Sequence, residues 1–206
     1  MKRLLYLFAA LLFAATAIAQ TPEEIISRME EEMDKHEKEG IVMIVDLKIP
    51  VIGTMTTKVW SLGDKTRVEG RMMGVDMITF SDGKTSWTYI SKSNSIDIEN
   101  EKPGDSEGEG DAELFSGLTD GYDVSLKKET DDAWHFVCKK SKSNTDKDAP
   151  KTIDLVVAKR TYYPKSLSAK MSGMTMTMRD VSFGVTEKQV TFNPADFPTA
   201  KIVDKR

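Results

Sequence analysis

The sequence predicts a mainly β domain with a helical lid (α+β): an incomplete, strongly curved antiparallel β-barrel of about eleven strands covered by an N-terminal amphipathic helix. Three observations carry this expectation. Apolar residues recur at helical spacing over 22–39, and from Ile41 onward the period changes to two. The alternating stretches are short and separated by turn residues, which is how hairpins and antiparallel sheets read. So many strands in one domain must curl or close, because a flat open sheet leaves its edges bare.

The chain of 206 residues begins with "MKRLLYLFAALLFAATAIAQ". Lys2 and Arg3 precede an apolar run from Leu4 to Ala15, and Ala17-Ile18-Ala19 is a small-residue cleavage pattern, so residues 1–19 read as a secretory signal peptide. The run is too short to span a bilayer, which takes about 20 apolar residues. No cysteine sits near the cut, so a lipid anchor is not expected, and residues 20–206 read as one soluble exported domain.

Thr21-Pro22-Glu23-Glu24 then starts a helix, with threonine as N-cap, proline in the first turn and Glu24 placed to close a capping box. Ile25, Ile26, Met29 and Met33 form its apolar stripe, charged residues fill the other side, and Gly40 is the expected stop. Strands follow: "IVMIVDLKI", "TMTTKVW", "KTRVEGRMM", "VDMITF", "TSWTYIS" and "NSIDIEN". In "MITFSDGKTSWTYI" the Asp82-Gly83 pair favours a two-residue turn, which would set Phe80 opposite Thr85 and Ile78 opposite Trp87. Ile78, Phe80, Trp87 and Tyr89 would then share one apolar face.

Residues 101–112, "EKPGDSEGEGDA", read as an exposed acidic loop, and "AELFSGL" after it as a helical turn or two. Strands return with "YDVSLKKE", "AWHFVCKK", "TIDLVVAK", "YPKSLSAKM", "MTMTMRDVSF" and "KQVTFN", the stretch 141–150 being a polar loop. In "MTMTM" Met174, Met176 and Met178 point to one face while Thr175 and Thr177 point to the other.

Chemistry is sparse. Without Lys2 and Arg3 the exported chain carries 27 Lys+Arg against 33 Asp+Glu, and an acidic chain with no basic cluster is a poor partner for nucleic acid. Cys138 has no second cysteine to pair with and reads as a buried strand residue. His36 sits in a charged run and His135 alternates with Trp134 and Phe136, so both read as solvent-facing, with no triad or ligand spacing around them. Asp105, Glu107, Glu109 and Gly110 imitate the first half of a calcium loop, but its twelfth position is Ser116 instead of a glutamate. No catalytic residue, metal or cofactor is expected, and the chain does not read as an enzyme.

What stands out is methionine, 12 in all, most of them on strands or on the helix stripe. Methionine fills irregular space and adapts to varied partners but specifies a fixed core poorly. The expected site is therefore an adaptable apolar cavity lined by Ile78, Phe80, Trp87, Tyr89, Met174, Met176 and Met178, with the methionine row on the concave side beside Trp87 and Tyr89. Ile25, Met29 and Met33 would close it as a lid.

The hairpin "SDGKTSWTYISKSNSIDIEN", the stretch "AELFSGLTDGYDVSL", the strand "YYPKSLSAKM" and the close "MTMTMRDVSFGVTEKQVTFNPADFP" resemble, in that order, the LolA-type periplasmic lipoprotein carriers. The resemblance runs over 21–203. It implies an incomplete barrel with a helical lid over a cavity for acyl chains. It also implies a monomeric periplasmic shuttle that takes lipoproteins from an inner-membrane releasing transporter to an outer-membrane acceptor. One departure stands against it: the carriers have an Arg-Pro whose arginine holds the lid, and "VWSLGDKTRVEG" has none. Arg67 or Lys65 could take that part. The alternative is a LolA-like module that senses lipid or lipoprotein and acts through a protein partner.

Overall fold

The computed structural model describes residues 20–101, 115, 117–171 and 173–206. The signal peptide expected over 1–19, the loop expected beyond Glu101 and most of "AELFSGL" lie outside these residues.

Helix α1 spans Pro22–Asp34 and begins as its sequence dictates: Thr21 Oγ1 accepts the Glu24 N–H at 3.2 Å, and Glu24 Oε2 accepts the Thr21 N–H at 3.0 Å. It ends five residues short of the expected 39. A turn at Lys35-His36 and a 3₁₀ turn at Glu37–Glu39 lead to Gly40, whose φ of 67° is left-handed. A Cβ on Gly40 would sit 2.5 Å from the Ser61 carbonyl oxygen, so no other residue fits there.

Twelve strands follow: β1 Ile41–Ile49, β2 Gly53–Leu62, β3 Lys65–Met72, β4 Val75–Ser81, β5 Thr85–Ile90, β6 Ser95–Asn100, β7 Tyr122–Glu129, β8 Ala133–Lys140, β9 Thr152–Ala158, β10 Pro164–Met171, β11 Met174–Phe183 and β12 Lys201–Asp204. All belong to one sheet in the order β12-β6-β5-β4-β3-β2-β1-β11-β10-β9-β8-β7. Two antiparallel meanders, β1 to β6 and β7 to β11, are joined where β1 pairs with β11. The sheet does not close, since β7 and β12 are its two edges. β12 lies parallel to β6, and the salt bridges of Lys205 to Asp97 and Glu99, at 2.8 and 2.9 Å, hold it there.

Two local expectations are corrected. "KQVTFN" is not a strand: Glu187–Val190 is a short helix, α2, because Thr186 and Gln189 form their own capping box. The β4–β5 hairpin turns over four residues, with Asp82 Oδ1 accepting the Lys84 and Thr85 N–H groups, so Phe80 faces Trp87 and Ile78 faces Tyr89. That is a slip of two from the two-residue turn, and an even slip keeps every side chain on its face.

Register separates the sheet's two faces. Cross-strand partners share a face, and the partners run Leu155–Leu167–Met178–Val45–Thr57–Gly70–Met77–Ile90 from β9 to β5. This face carries α1. Ile25, Ile26, Met29 and Met33 are at most 3 % exposed and pack with Ile41, Met43, Phe136, Leu155, Leu167 and Met178. Burying four such side chains is worth on the order of 6–12 kcal/mol as an upper bound. The opposite face carries the chain's C-terminal segment: Val185 and Val190 of that segment bury Trp60 together with Val42 and Leu62.

Candidate functional site

The expected cavity residues do not form one cavity. Met174, Met176 and Met178 lie on the α1 face, whereas Ile78, Phe80, Trp87 and Tyr89 lie on the other. Phe80 is three residues from Met77, which stands in the Met178 row, so its side chain leaves the opposite side of the sheet. The expectation that the methionine row lies beside Trp87 and Tyr89 is thereby corrected. Periodicity within each strand is sound, but joining strands into one face requires the register across six of them.

The aromatic residues meet the chain's own C-terminal segment. Trp87 stacks on Phe192 with ring centroids 5.4 Å apart and planes 8° apart. Phe80 meets Phe192 and Phe197 edge-on at 5.9 and 6.4 Å, and Tyr89 lies 4.8 Å from Phe197. Arg67 works on this same side. Its guanidinium sits 5.0 Å from the Trp60 ring and 5.2 Å from Phe80, and it donates to the Gln189 carbonyl at 3.3 Å and to Glu69. Lys65 pairs with Glu187 at 2.5 Å. Both candidates for a lid latch therefore hold the C-terminal segment, on the face away from α1.

The contacts that tie α1 to the sheet beyond its apolar stripe come from the β9–β10 turn. Tyr163 Oη and His36 Nε2 are hydrogen-bonded at 2.6 Å, His36 Nδ1 meets Glu39 at 3.0 Å, and the His36 ring stacks 4.3 Å from Phe183. Next to it Tyr162, itself at φ 59°, lies 4.5 Å beneath the Arg28 guanidinium and donates to Gln20 Oε1 at 3.1 Å. His36 is thus a packed, partnered side chain and not the solvated one its charged surroundings suggest. His135 is half-buried on the face opposite Phe136.

On the α1 face a second row of partners runs Cys138–Ile153–Ala169–Met176–Leu47–Met55, from β8 to β2. Cys138, Ile153 and Ala169 are buried in the core that α1 covers; Met176, Leu47 and Met55 are half-buried. One apolar row therefore emerges from beneath the helix toward the N-terminal meander. There the same face continues as Val59, Val68, Thr79 and Thr88, small side chains joined by a 3.2 Å hydroxyl contact between Thr79 and Thr88. A cavity of about 450 Å³ adjoins it, lined by Thr66, Val68, Thr79, Ser81, Lys84 and Glu101 among others. Leu47 and Met55 have no place in the expected site, although alternation within β1 and β2 could have found them once paired to Met176.

Titration behaviour is modest. Burial raises Glu30 on α1 above its ordinary carboxylate range, and the Asp120 carboxylate raises it further. Burial pushes the Cys138 thiol up to about 11, so it is an inert packing residue. Among the described residues there is no cluster of three His, Cys, Asp or Glu that could hold a metal, and no helix is long and apolar enough to cross a membrane.

No family model matches the chain, and no curated protein matches it. Among solved structures it is similar to LprF from Mycobacterium bovis, at 10% identity over 85% of this chain and 99% of that one, TM-score 0.51. It is also similar to the lipoprotein LppX of Mycobacterium tuberculosis, at 11% identity over 81% and 98%, TM-score 0.50. A LolA superfamily protein from Nitrosomonas europaea aligns at 11% identity over 86% and 100%, TM-score 0.36. At these identities the likeness is one of fold. The fold shared with LprF and LppX is an unclosed, almost wholly antiparallel sheet with an N-terminal helix packed on one face.

Proposed function

We propose that the protein is a non-catalytic carrier that takes lipoprotein acyl chains onto the α1 face of its open sheet. In this reading it is exported to the periplasm and moves lipoproteins from the inner membrane to the outer membrane. The observation that carries the reading is the continuous row Ile153–Ala169–Met176–Leu47–Met55, buried at one end by α1 and half-exposed at the other. An acyl chain laid along that row meets flexible methionines that can repack around it.

The magnitudes favour exchange over permanent capture. Each buried methylene is worth about 0.8 kcal/mol, so roughly ten of them match the burial of the four α1 side chains. Helix and ligand then compete for one surface on near-equal terms. The hydrogen bonds and stacking of His36 and Tyr163 set the cost of moving the helix. An acceptor with a slightly better apolar site would draw the cargo off.

Depletion of the protein followed by membrane fractionation tests the carrier reading. Lipoproteins should accumulate at the inner membrane. If their distribution is unchanged while the protein still binds lipopeptide in vitro, it does not act as a shuttle.

A further inference from the structure

Three hairpins bring bare apolar side chains to one end of the sheet. The β3–β4, β1–β2 and β10–β11 hairpins are neighbours in the strand order, and antiparallel alternation makes their turns project the same way. Val51 and Ile52 are 108 % and 73 % exposed, Met73 is 91 %, Met72 is 50 % and Met171 is 39 %. Measured along the strands from the row Leu167–Met178–Val45–Thr57–Gly70, Val51 lies six residues on, Met171 four and Met73 three. At about 3.3 Å per residue the last β1–β2 pair, Ile49–Gly53, and the last β10–β11 pair, Met171–Met174, both lie about 13 Å beyond that row, with Val51 and Ile52 in the turn past the first.

Folding alone does not favour these residues. Val51 has φ 72° and Met73 φ 52°, and a β-branched side chain in the left-handed region is strained where Asn or Gly would be at ease. Beside the turns lies positive charge. Lys140, Lys147, Lys151 and Lys170 line a cleft of about 610 Å³ together with Met171 and Asp148, in a chain of net charge -4. Arg71, next to Met72, meets Asp76 at 3.5 Å.

Separate apolar points on three turns, with cations at their shoulder, suit a surface that is apolar within and anionic at its rim. A protein partner would ask for a shared patch or groove that buries such residues together. We propose that this end of the sheet docks on a bilayer containing anionic phospholipid, with Val51, Ile52 and Met73 entering the interface and the lysine cleft facing the headgroups. The docking turns lie two to four residues beyond the row Ala169–Met176–Leu47–Met55, counted as Ala169 to Met171 and Leu47 to Val51, and contribute none of its residues.

Co-flotation of the chain from Gln20 onward, free of the apolar leader and without cargo, tests this with vesicles of phosphatidylcholine with and without phosphatidylglycerol. The protein floats with the phosphatidylglycerol vesicles, and less so as salt rises. Val51→Asn with Ile52→Ser lowers partitioning about tenfold or more, and thermal unfolding of this variant is no lower than that of the parent, because Asn tolerates the left-handed turn. The same variant binds a soluble diacylated lipopeptide as before, which separates this inference from the carrier reading. Absence of flotation at low salt, or equal flotation of parent and variant, would overturn it. Equal flotation on vesicles lacking phosphatidylglycerol would remove the lysine cleft from the docking surface and overturn the anionic preference.

Discussion

Tyr163 carries its hydroxyl to 2.6 Å from Nε2 of His36, tying the β9–β10 turn to the end of α1. A partly buried hydrogen bond of this kind is worth about 0.5–1.5 kcal/mol. Tyr163→Phe keeps the ring against Phe183 and removes the bond. Amide exchange over 22–34 should quicken severalfold while β8 to β11 stay protected. Unchanged exchange in α1 would mean that His36 and Tyr163 do not latch the helix.

Glu30 gives the helix a pH dependence of known sign. Burial, then Asp120, raise its folded pKa above the ordinary value of 4.5. The folded state therefore holds the proton more tightly. The stabilising contribution is full below pH 4.5 and is lost as pH rises through the folded pKa. Glu30→Gln should be more stable than the parent at neutral pH, and that advantage should vanish as Glu30 is protonated at acid pH. Denaturant melts of both proteins across pH read the difference directly.

Arg67, on β3, holds the C-terminal segment. Arg67→Ala loses two cation–π contacts and the bond to the Gln189 carbonyl, for a cost of about 2 kcal/mol. Exchange should rise over 186–204 and remain unchanged over 22–34. A loosened α1 with an intact C-terminal segment would assign Arg67 to the lid after all.

Replacing Met174, Met176 and Met178 by leucine should cost less than about 1.5 kcal/mol each. Met178, 6 % exposed, should account for most of any loss. A panel of lipopeptides with acyl chains of different length and branching should show a narrower range of binding. An unchanged range would leave the methionines as packing only.

Much of this architecture is legible along the chain because its signals are local. The Thr21–Glu24 capping box, the α1 stripe and the alternation of each strand are all set by residues within a few positions of one another. The shared face of Phe80 and Trp87 survives even a mistaken turn, since the slip is two residues. What a single sequence does not hold is relation between distant strands. Met178 and Phe80 lie on opposite faces because of register accumulated through β1, β2, β3 and β4. The contact of the β9–β10 turn with α1 was hidden for the same reason: His36 and Tyr163 are 127 positions apart, and neither belongs to a motif.

Photo-crosslinking to a diacylated lipopeptide tests the central claim most directly. A photoreactive side chain is placed singly at Met55, Met176, Ile78 and Tyr89. The account predicts crosslinks from 55 and 176, on the α1 face, and none from 78 or 89, where the C-terminal segment lies. Crosslinks from 78 and 89 with none from 55 and 176 would contradict it.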